Sequence, residues 1–218
     1  MNPIEYEIGS REGFMEEGSH DEQKAKYDVI WREYPNFKGS SPGEAFAPFF
    51  FDGFKGDVRA GQSLIHFGCG TARVAKEFLA KGLNVTLVDI SPYSLDEQIR
   101  HLLTLFSTQV QFVQACLWQL PESLKSAYWI YCCDALEYLP EETIETVLKQ
   151  MAKRMRFGGY FSIGLKANLS GKNPNQPLPL TMRNKGWWEN KLLQYFTIIS
   201  EDAIADELYF NCRVAAKK

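Results

Sequence analysis

Short apolar runs that end at a glycine or an acid recur along the chain, with helix-period segments between them. Leu64, Ile65 and Phe67, interrupted only by His66, lead into Gly68-Cys69-Gly70. An apolar run of this kind predicts a strand buried on both faces of a parallel sheet, followed by a tight turn. Over 72–81, helical spacing puts Val74, Phe78 and Leu79 on one side and Arg73, Lys76, Glu77 and Lys81 on the other. Gly82 suits the position just past a helix end, and Asn84-Val85-Thr86-Leu87-Val88-Asp89 reads as a second strand closed by a carboxylate.

The alternation continues to the end of the chain. Ser94-Leu95-Asp96-Glu97 has the form of a capping box, and Leu95, Ile99, Leu102, Leu103 and Phe106 make the stripe of the helix it opens. Strands are predicted over 110–114, 128–133 and 160–165, the last entered by a turn at Gly158-Gly159. Pro140 and two glutamates favour a helix start, and Ile144, Val147, Leu148, Met151 and Met155 form its buried stripe. A short helix carrying Trp187 and Trp188 runs through Tyr195, and strands over 196–200 and 207–214 close the chain. Ahead of the first strand, a helix over 21–34 carries Tyr27, Ile30, Trp31 and Tyr34, and a short apolar helix covers 45–54. Residues 1–21 are polar and of mixed charge, so they are expected to be poorly ordered or draped on the surface. The irregular segment over 167–185, with Pro174, Pro177 and Pro179, is of a length that compact domains usually keep for function. Strand–helix alternation of this kind predicts an α/β, doubly wound, mostly parallel sheet with helices on both faces.

Composition narrows the function. At 218 residues the chain suits one domain, and no apolar run approaches the roughly 20 residues that span a bilayer. No signal-peptide pattern opens it. Its five cysteines (69, 116, 132, 133 and 212) form no CxxC pair, which favours reduced thiols in a cytoplasm over disulfides or zinc. Three histidines leave little for a metal centre, and a net charge of −3 without a basic run speaks against a broad nucleic-acid face.

The chemistry gathers at the first turn. Asp89 lies about twenty residues beyond the glycines, the offset at which nucleotide-binding α/β units place an acid on ribose hydroxyls. Ligands in such sheets sit outside the carboxyl ends of the strands, which brings 66–72, 89–91, 116–118 and 133–138 around one pocket. Asp89 would accept charge-assisted hydrogen bonds from the ribose. A dinucleotide fingerprint is a poor fit, because Arg73 stands where its third glycine belongs.

The spacing Gly68-x-Gly70-x-Ala72 resembles the first motif of class I S-adenosylmethionine-dependent methyltransferases, and the likeness runs from about residue 40 to the end. Asp134-Ala135-Leu136-Glu137-Tyr138-Leu139-Pro140 is similar to that family's Asp-Val-Leu-Glu-His-Ile-Pro segment. The resemblance implies a Rossmann-like sheet of about seven strands closed by an antiparallel hairpin of strands 6 and 7. It implies an N-terminal extension with a lid helix over 1–40, the alternative being a helix packed on the sheet's edge through Trp31, and a class I methyltransferase-like domain over 41–218. Its cofactor is S-adenosylmethionine, held by His66, Gly68, Cys69, Gly70, Asp89, Ile90, Cys116, Leu117, Trp118 and Asp134. Ile90, Leu117 and Trp118 would flank the adenine, and Glu137 and Tyr138 would lie near the methyl group. Trp187 and Trp188 are either a substrate-facing lid or plain core.

Three positions depart from the family pattern. His66 and Cys116 stand where acids are usual, and Ala72 where a glycine is usual. Two lost hydrogen bonds of about 0.5–1.5 kcal/mol each would weaken cofactor binding by roughly one to three powers of ten. The chain lacks the Pro-Pro turn of amino-directed DNA enzymes and the Pro-Cys of cytosine C5 enzymes, so a small-molecule acceptor is expected. RNA or a protein side chain is the alternative acceptor. An inactive, methyltransferase-like binding protein is the alternative from another class, and an NAD(P)-dependent oxidoreductase is the third reading. No metal and no catalytic base is assigned.

Overall fold

The computed structural model describes residues 20–33, 39, 43–165, 179–204 and 206–215. Over these residues the strands are β1 Ser63–Phe67, β2 Asn84–Asp89, β3 Val110–Gln114, β4 Ala127–Cys133, β5 Met155–Gly164, β6 Phe196–Ile204 and β7 Glu207–Val214. They form one sheet in the order β3-β2-β1-β4-β5-β7-β6. The first five are parallel to their neighbours, and β7 runs antiparallel to both β5 and β6. The helices are α1 His20–Glu33, α2 Gly43–Gly53, α3 Ala75–Ala80, α4 Glu97–Leu105, α5 Glu141–Arg154 and α6 Lys185–Leu193. This is the doubly wound α/β sheet with a closing hairpin that the pattern and the resemblance imply.

Successive side chains of a strand point to opposite faces, so each strand feeds two cores. On one face Ile65, Phe67, Ile130, Phe161 and Phe210 pack against Ile144, Val147, Leu148 and Met151 of α5 and Trp188 and Leu192 of α6. On the other, Leu64, Leu87, Trp129, Tyr131 and Tyr160 pack against Phe50 of α2, Phe78 of α3 and Ile99 of α4. This second core is aromatic, with Phe50 edge-on to Trp129 at 5.5 Å and Tyr131 stacked on Tyr160 at 5.3 Å.

Several boundaries differ from the expected ones, each for a local reason. The helix expected from 72 starts at Ala75, because Ala72 sits at φ +55° and still belongs to the glycine turn. The expected capping box is not formed: Ser94 closes a 3-10 turn, Pro92–Ser94, and Asp96 caps α4 by accepting from the Gln98 amide. Phe106 ends that helix and is exposed. Gly158 and Gly159 do not turn the chain but lie inside β5. A Cβ on Gly158 would stand 2.8 Å from the Phe54 ring and one on Gly159 3.0 Å from the Ile130 carbonyl oxygen, so both glycines answer to packing. Met155 leaves the α5 stripe to open β5, and β6 runs on to Ile204 rather than ending at 200. Trp188 is fully buried, which settles it as core. Trp187 packs at the margin of the same core, beneath Arg183 and Lys191. Tyr34, most of 1–21 and most of 167–185 lie outside the described residues.

Candidate functional site

The carboxyl ends of β1, β2 and β4 leave a cleft beside β1, where the strand order reverses. β1 ends in a turn with Gly68 at φ +60° and Gly70 at φ +51°, conformations open to glycine at little cost. At Gly68 close approach adds a second requirement, since a Cβ there would stand 2.4 Å from the Ala135 Cβ. Asp89, at the end of β2, holds this turn in place: one oxygen accepts from the Gly70 amide at 2.8 Å and the other from the Ser91 amide at 3.0 Å. Burial pushes the Asp89 carboxyl up to about 6, against the pull of these backbone donors. Two amides use about half of the four lone-pair positions of a carboxylate, so acceptor capacity is left facing the cleft.

The cleft has a cavity volume of about 140 Å³ and opens to solvent. Of the residues singled out from the sequence, Gly68, Gly70, Asp89, Ile90, Cys116, Leu117, Trp118 and Asp134 line it. His66 and Cys69 do not. They border a smaller hollow on the far side of the glycine turn, next to Gly43 and Thr71. The His66 ring stands edge-on to Tyr131 at 5.2 Å, and burial lowers its pKa to about 3, so the imidazole is neutral. Cys116 is buried, and its thiol is pushed up to about 12 by that burial, leaving a neutral and weakly accepting sulfur at the cleft wall.

One wall comes from α1, far from the glycine turn in sequence. Tyr27 and Trp31 line the cleft. Ser91 Oγ donates to Asp28 Oδ1 at 2.5 Å, and Arg32 lies 5.0 Å from the centre of the Tyr93 ring, so the helix is docked on the turn after β2. The aromatic stripe of α1 was legible in the sequence, and the resemblance implied its place over the cleft, but not its tie to Ser91 through Asp28.

The other end of the cleft is acidic. Asp134, directly after β4, takes φ +47°, a region in which Asp is among the better-tolerated residues. Its amide donates to the Ser162 carbonyl at 3.1 Å, and Ser162 Oγ donates to its Oδ1 at 2.9 Å. Glu207, the first residue of β7, brings its carboxyl against Asp134, and burial followed by that contact pushes it up to about 10. Glu137 does not line the cleft but turns inward at 2% exposure and accepts from the Gly164 amide at 3.1 Å. Burial first, and the charge of Asp134 second, raise its pKa well above the ordinary range. Tyr138 lies at the cleft wall beside them. Glu207 carried no signal in the sequence, because only the reversed strand β7 brings it to this rim.

Comparison with known proteins agrees with this geometry. Residues 65–159 match the family described as a methyltransferase domain. Among curated proteins no sequence matches the chain. Of the similar solved structures, 1,6-didemethyltoxoflavin-N1-methyltransferase of Burkholderia thailandensis, with 1,6-didemethyltoxoflavin and S-adenosylhomocysteine bound, superposes with a TM-score of 0.71. It is 14% identical, over 98% of this chain and 94% of its own. Magnesium protoporphyrin IX methyltransferase of Synechocystis, with S-adenosylhomocysteine bound, gives a TM-score of 0.63 at 14% identity, over 88% of this chain and 94% of its own. The N-methyltransferase NodS of Bradyrhizobium japonicum gives 0.61 at 13% identity, over 88% and 98%. Residues 65–159 are thus similar to a methyltransferase domain, and the chain shares the fold of these methyltransferase structures.

Proposed function

We propose that the chain is an S-adenosylmethionine-dependent methyltransferase whose acceptor is a small molecule. The observation that carries this reading is the Asp89 carboxylate, fixed by two amides beside a turn whose first glycine excludes a side chain, and open to an apolar slot. An adenosine fits that donor set. The free lone pairs of Asp89 face the ribose hydroxyls, and Ile90, Leu117 and Trp118 offer an apolar slot for the base. Bound there, S-adenosylmethionine supplies an electrophilic methyl group on a sulfonium.

The chain's own residues then position and shield. Gly68 and Gly70 let the backbone approach the cofactor's tail, and Tyr27 and Trp31 of α1 cover the cleft as a lid against water. His66 stands outside the main cleft as a neutral ring, so its exchange for the family's acid does not set a charge against the cofactor's ammonium. The small-molecule acceptor is supported by the named substrates of the first two neighbours, a toxoflavin precursor and a magnesium porphyrin. Among the described residues no helix is long and apolar enough to cross a membrane. All five cysteines are free and buried, which supports a reducing, cytoplasmic setting.

Calorimetry of the purified protein with S-adenosylhomocysteine tests the reading. Binding that falls by roughly tenfold or more in Asp89→Ala is the expected result. Absence of binding, or an unchanged affinity in the variant, overturns it. Transfer of a labelled methyl group separates an enzyme from a binding protein that keeps only the fold.

A further inference from the structure

The acidic end of the cleft lies apart from the Asp89 contacts proposed for the ribose, and its composition is unusual for a protein interior. Asp134, Glu137 and Glu207 converge there: Glu137 Oε1 and Glu207 Oε2 lie 3.1 and 3.6 Å from the place a Gly164 Cβ would take, and Glu207 meets Asp134. Buried carboxylates are ordinarily paired with a cation or bound to a metal. Among the described residues none of the three has a salt bridge, although Lys and Arg pairs are formed elsewhere on the surface. Nor does the spacing suit a metal ion, since no three His, Cys, Asp or Glu side chains among the described residues are placed to hold one.

A second observation, independent of the acids, points to a ligand. Tyr160 is fully buried, its ring stacked on Tyr131, and its hydroxyl, within electrostatic reach of Cys133, Tyr209, Glu207 and Asp134, has no hydrogen-bond partner among the described residues. Glu137 Oε2 and Glu207 Oε1 are likewise unpartnered. Buried polar atoms are seldom left without a partner in a folded protein unless something else is meant to meet them. The neighbourhood is also rich in rings. Tyr209 stacks on Phe49 at 5.1 Å and approaches Phe46 at 5.2 Å, and aromatic faces attract cations.

We propose that the methyl acceptor is an amine, recognised in its ammonium form by Asp134 with Glu207 and Tyr160 behind it. This rests on the methyltransferase reading above. Asp134 is the contact residue, because it is the carboxylate of this cluster that reaches the cleft wall. Glu207 is a positioning residue that meets the Asp134 carboxyl, and the unpartnered Tyr160 hydroxyl is left to complete the network when the amine binds. An ammonium has no lone pair with which to attack a methyl group, so one N–H bond must break first. Its electron pair stays on nitrogen and the proton passes to a carboxylate oxygen of Asp134, the member of the cluster that meets the amine. Glu137 and Glu207, whose raised values keep their carboxyls protonated, do not take it.

The test is a thermal-shift and calorimetric screen of the protein saturated with S-adenosylhomocysteine. The probes are simple aliphatic and arylalkyl amines, each paired with the alcohol of the same carbon skeleton. Amines that raise the melting temperature where their alcohols do not are the expected result, with affinity falling by roughly tenfold or more in Asp134→Asn. In Glu207→Ala, which removes the carboxyl that meets Asp134, amine binding is expected to weaken severalfold while affinity for S-adenosylhomocysteine holds. Tyr160→Phe serves as the milder variant should Asp134→Asn fail to fold, and is expected to weaken amine binding without moving the affinity for S-adenosylhomocysteine. Alcohols or acids shifting the protein in place of amines, no probe shifting it, or amine binding unchanged in all three variants overturns the proposal. Failure of S-adenosylhomocysteine to bind at the outset identifies the methyltransferase reading as the part that failed.

Discussion

The two ends of the cleft are built on opposite terms. At the glycine end, the hydrogen bonds around Asp89 are made within the protein: both Asp89 oxygens meet amides, Ser91 Oγ meets Asp28, and Ser94 Oγ meets the Ser91 carbonyl. On the far side of the turn, His66 Nδ1 meets nothing among the described residues. At the acidic end, Glu137, Glu207 and Tyr160 each carry a buried oxygen that meets nothing among the described residues. The contrast teaches where each end finds its order. The first is preorganised by the chain and receives a ligand onto a finished surface. The second holds uncompensated polar groups in a low-dielectric setting, a cost that a ligand of the right charge removes.

The largest effect that breaks this contrast is expected from Gly68→Val. A left-handed conformation costs an ordinary residue about 1–2 kcal/mol, and the new Cβ would collide with Ala135. Loss of S-adenosylhomocysteine affinity by roughly a hundredfold, with a lower melting temperature, is the expected outcome in calorimetry and scanning calorimetry. Asp89→Ala comes next, at roughly tenfold or more, because it removes the ribose acceptor and the tie between β2 and the turn. Asp89→Asn keeps one acceptor oxygen and should fall between.

A pH series sharpens the comparison at smaller amplitude. The Asp89 carboxyl sits at about 6, above the ordinary Asp value near 4. Cofactor binding uses the ionised form, so affinity for S-adenosylhomocysteine should fall severalfold as pH drops from about 7.5 to about 5.5. Stability of the empty protein runs the other way. A raised value favours the fold while the carboxyl is protonated, and that contribution disappears as pH rises through about 6. Both trends should flatten in Asp89→Asn. The smallest effect is expected from Ser91→Ala, which releases Asp28 and loosens α1. Affinity should fall roughly threefold, and hydrogen exchange in α1 should quicken, with the β-sheet amides unchanged.

Much of the architecture was legible because strand signals are local. β2, β3 and β7 begin and end where their apolar runs do, and the stripe of α5 is buried as spaced, except at Met155. What escaped the pattern depended on neighbours. The paired glycines of β5 read as a turn until the ring of Phe54 and the carbonyl of Ile130 explain why no side chain fits. Asp96 rather than Ser94 caps α4, because a 3-10 turn fills the intervening residues. At the site, the residues after β1, β2 and β3 were readable from their offset to the glycines, and eight of the ten singled out line the cleft. His66 was not readable in this way, since the pleat of β1 turns it toward Tyr131 and Phe78. The place of α1 over the cleft came from the resemblance rather than from spacing, and the contribution of Glu207 is set by tertiary pairing alone.

One reversed strand has a consequence for how such a protein diversifies. The parallel strands deliver only their last residues to the working rim, whereas β7 delivers its first. Position 207 can therefore be exchanged without disturbing the glycine turn and its tie to Asp89. Under the reading proposed above, the tail of the chain becomes an exchangeable cartridge, in which acceptor preference changes and the cofactor site does not.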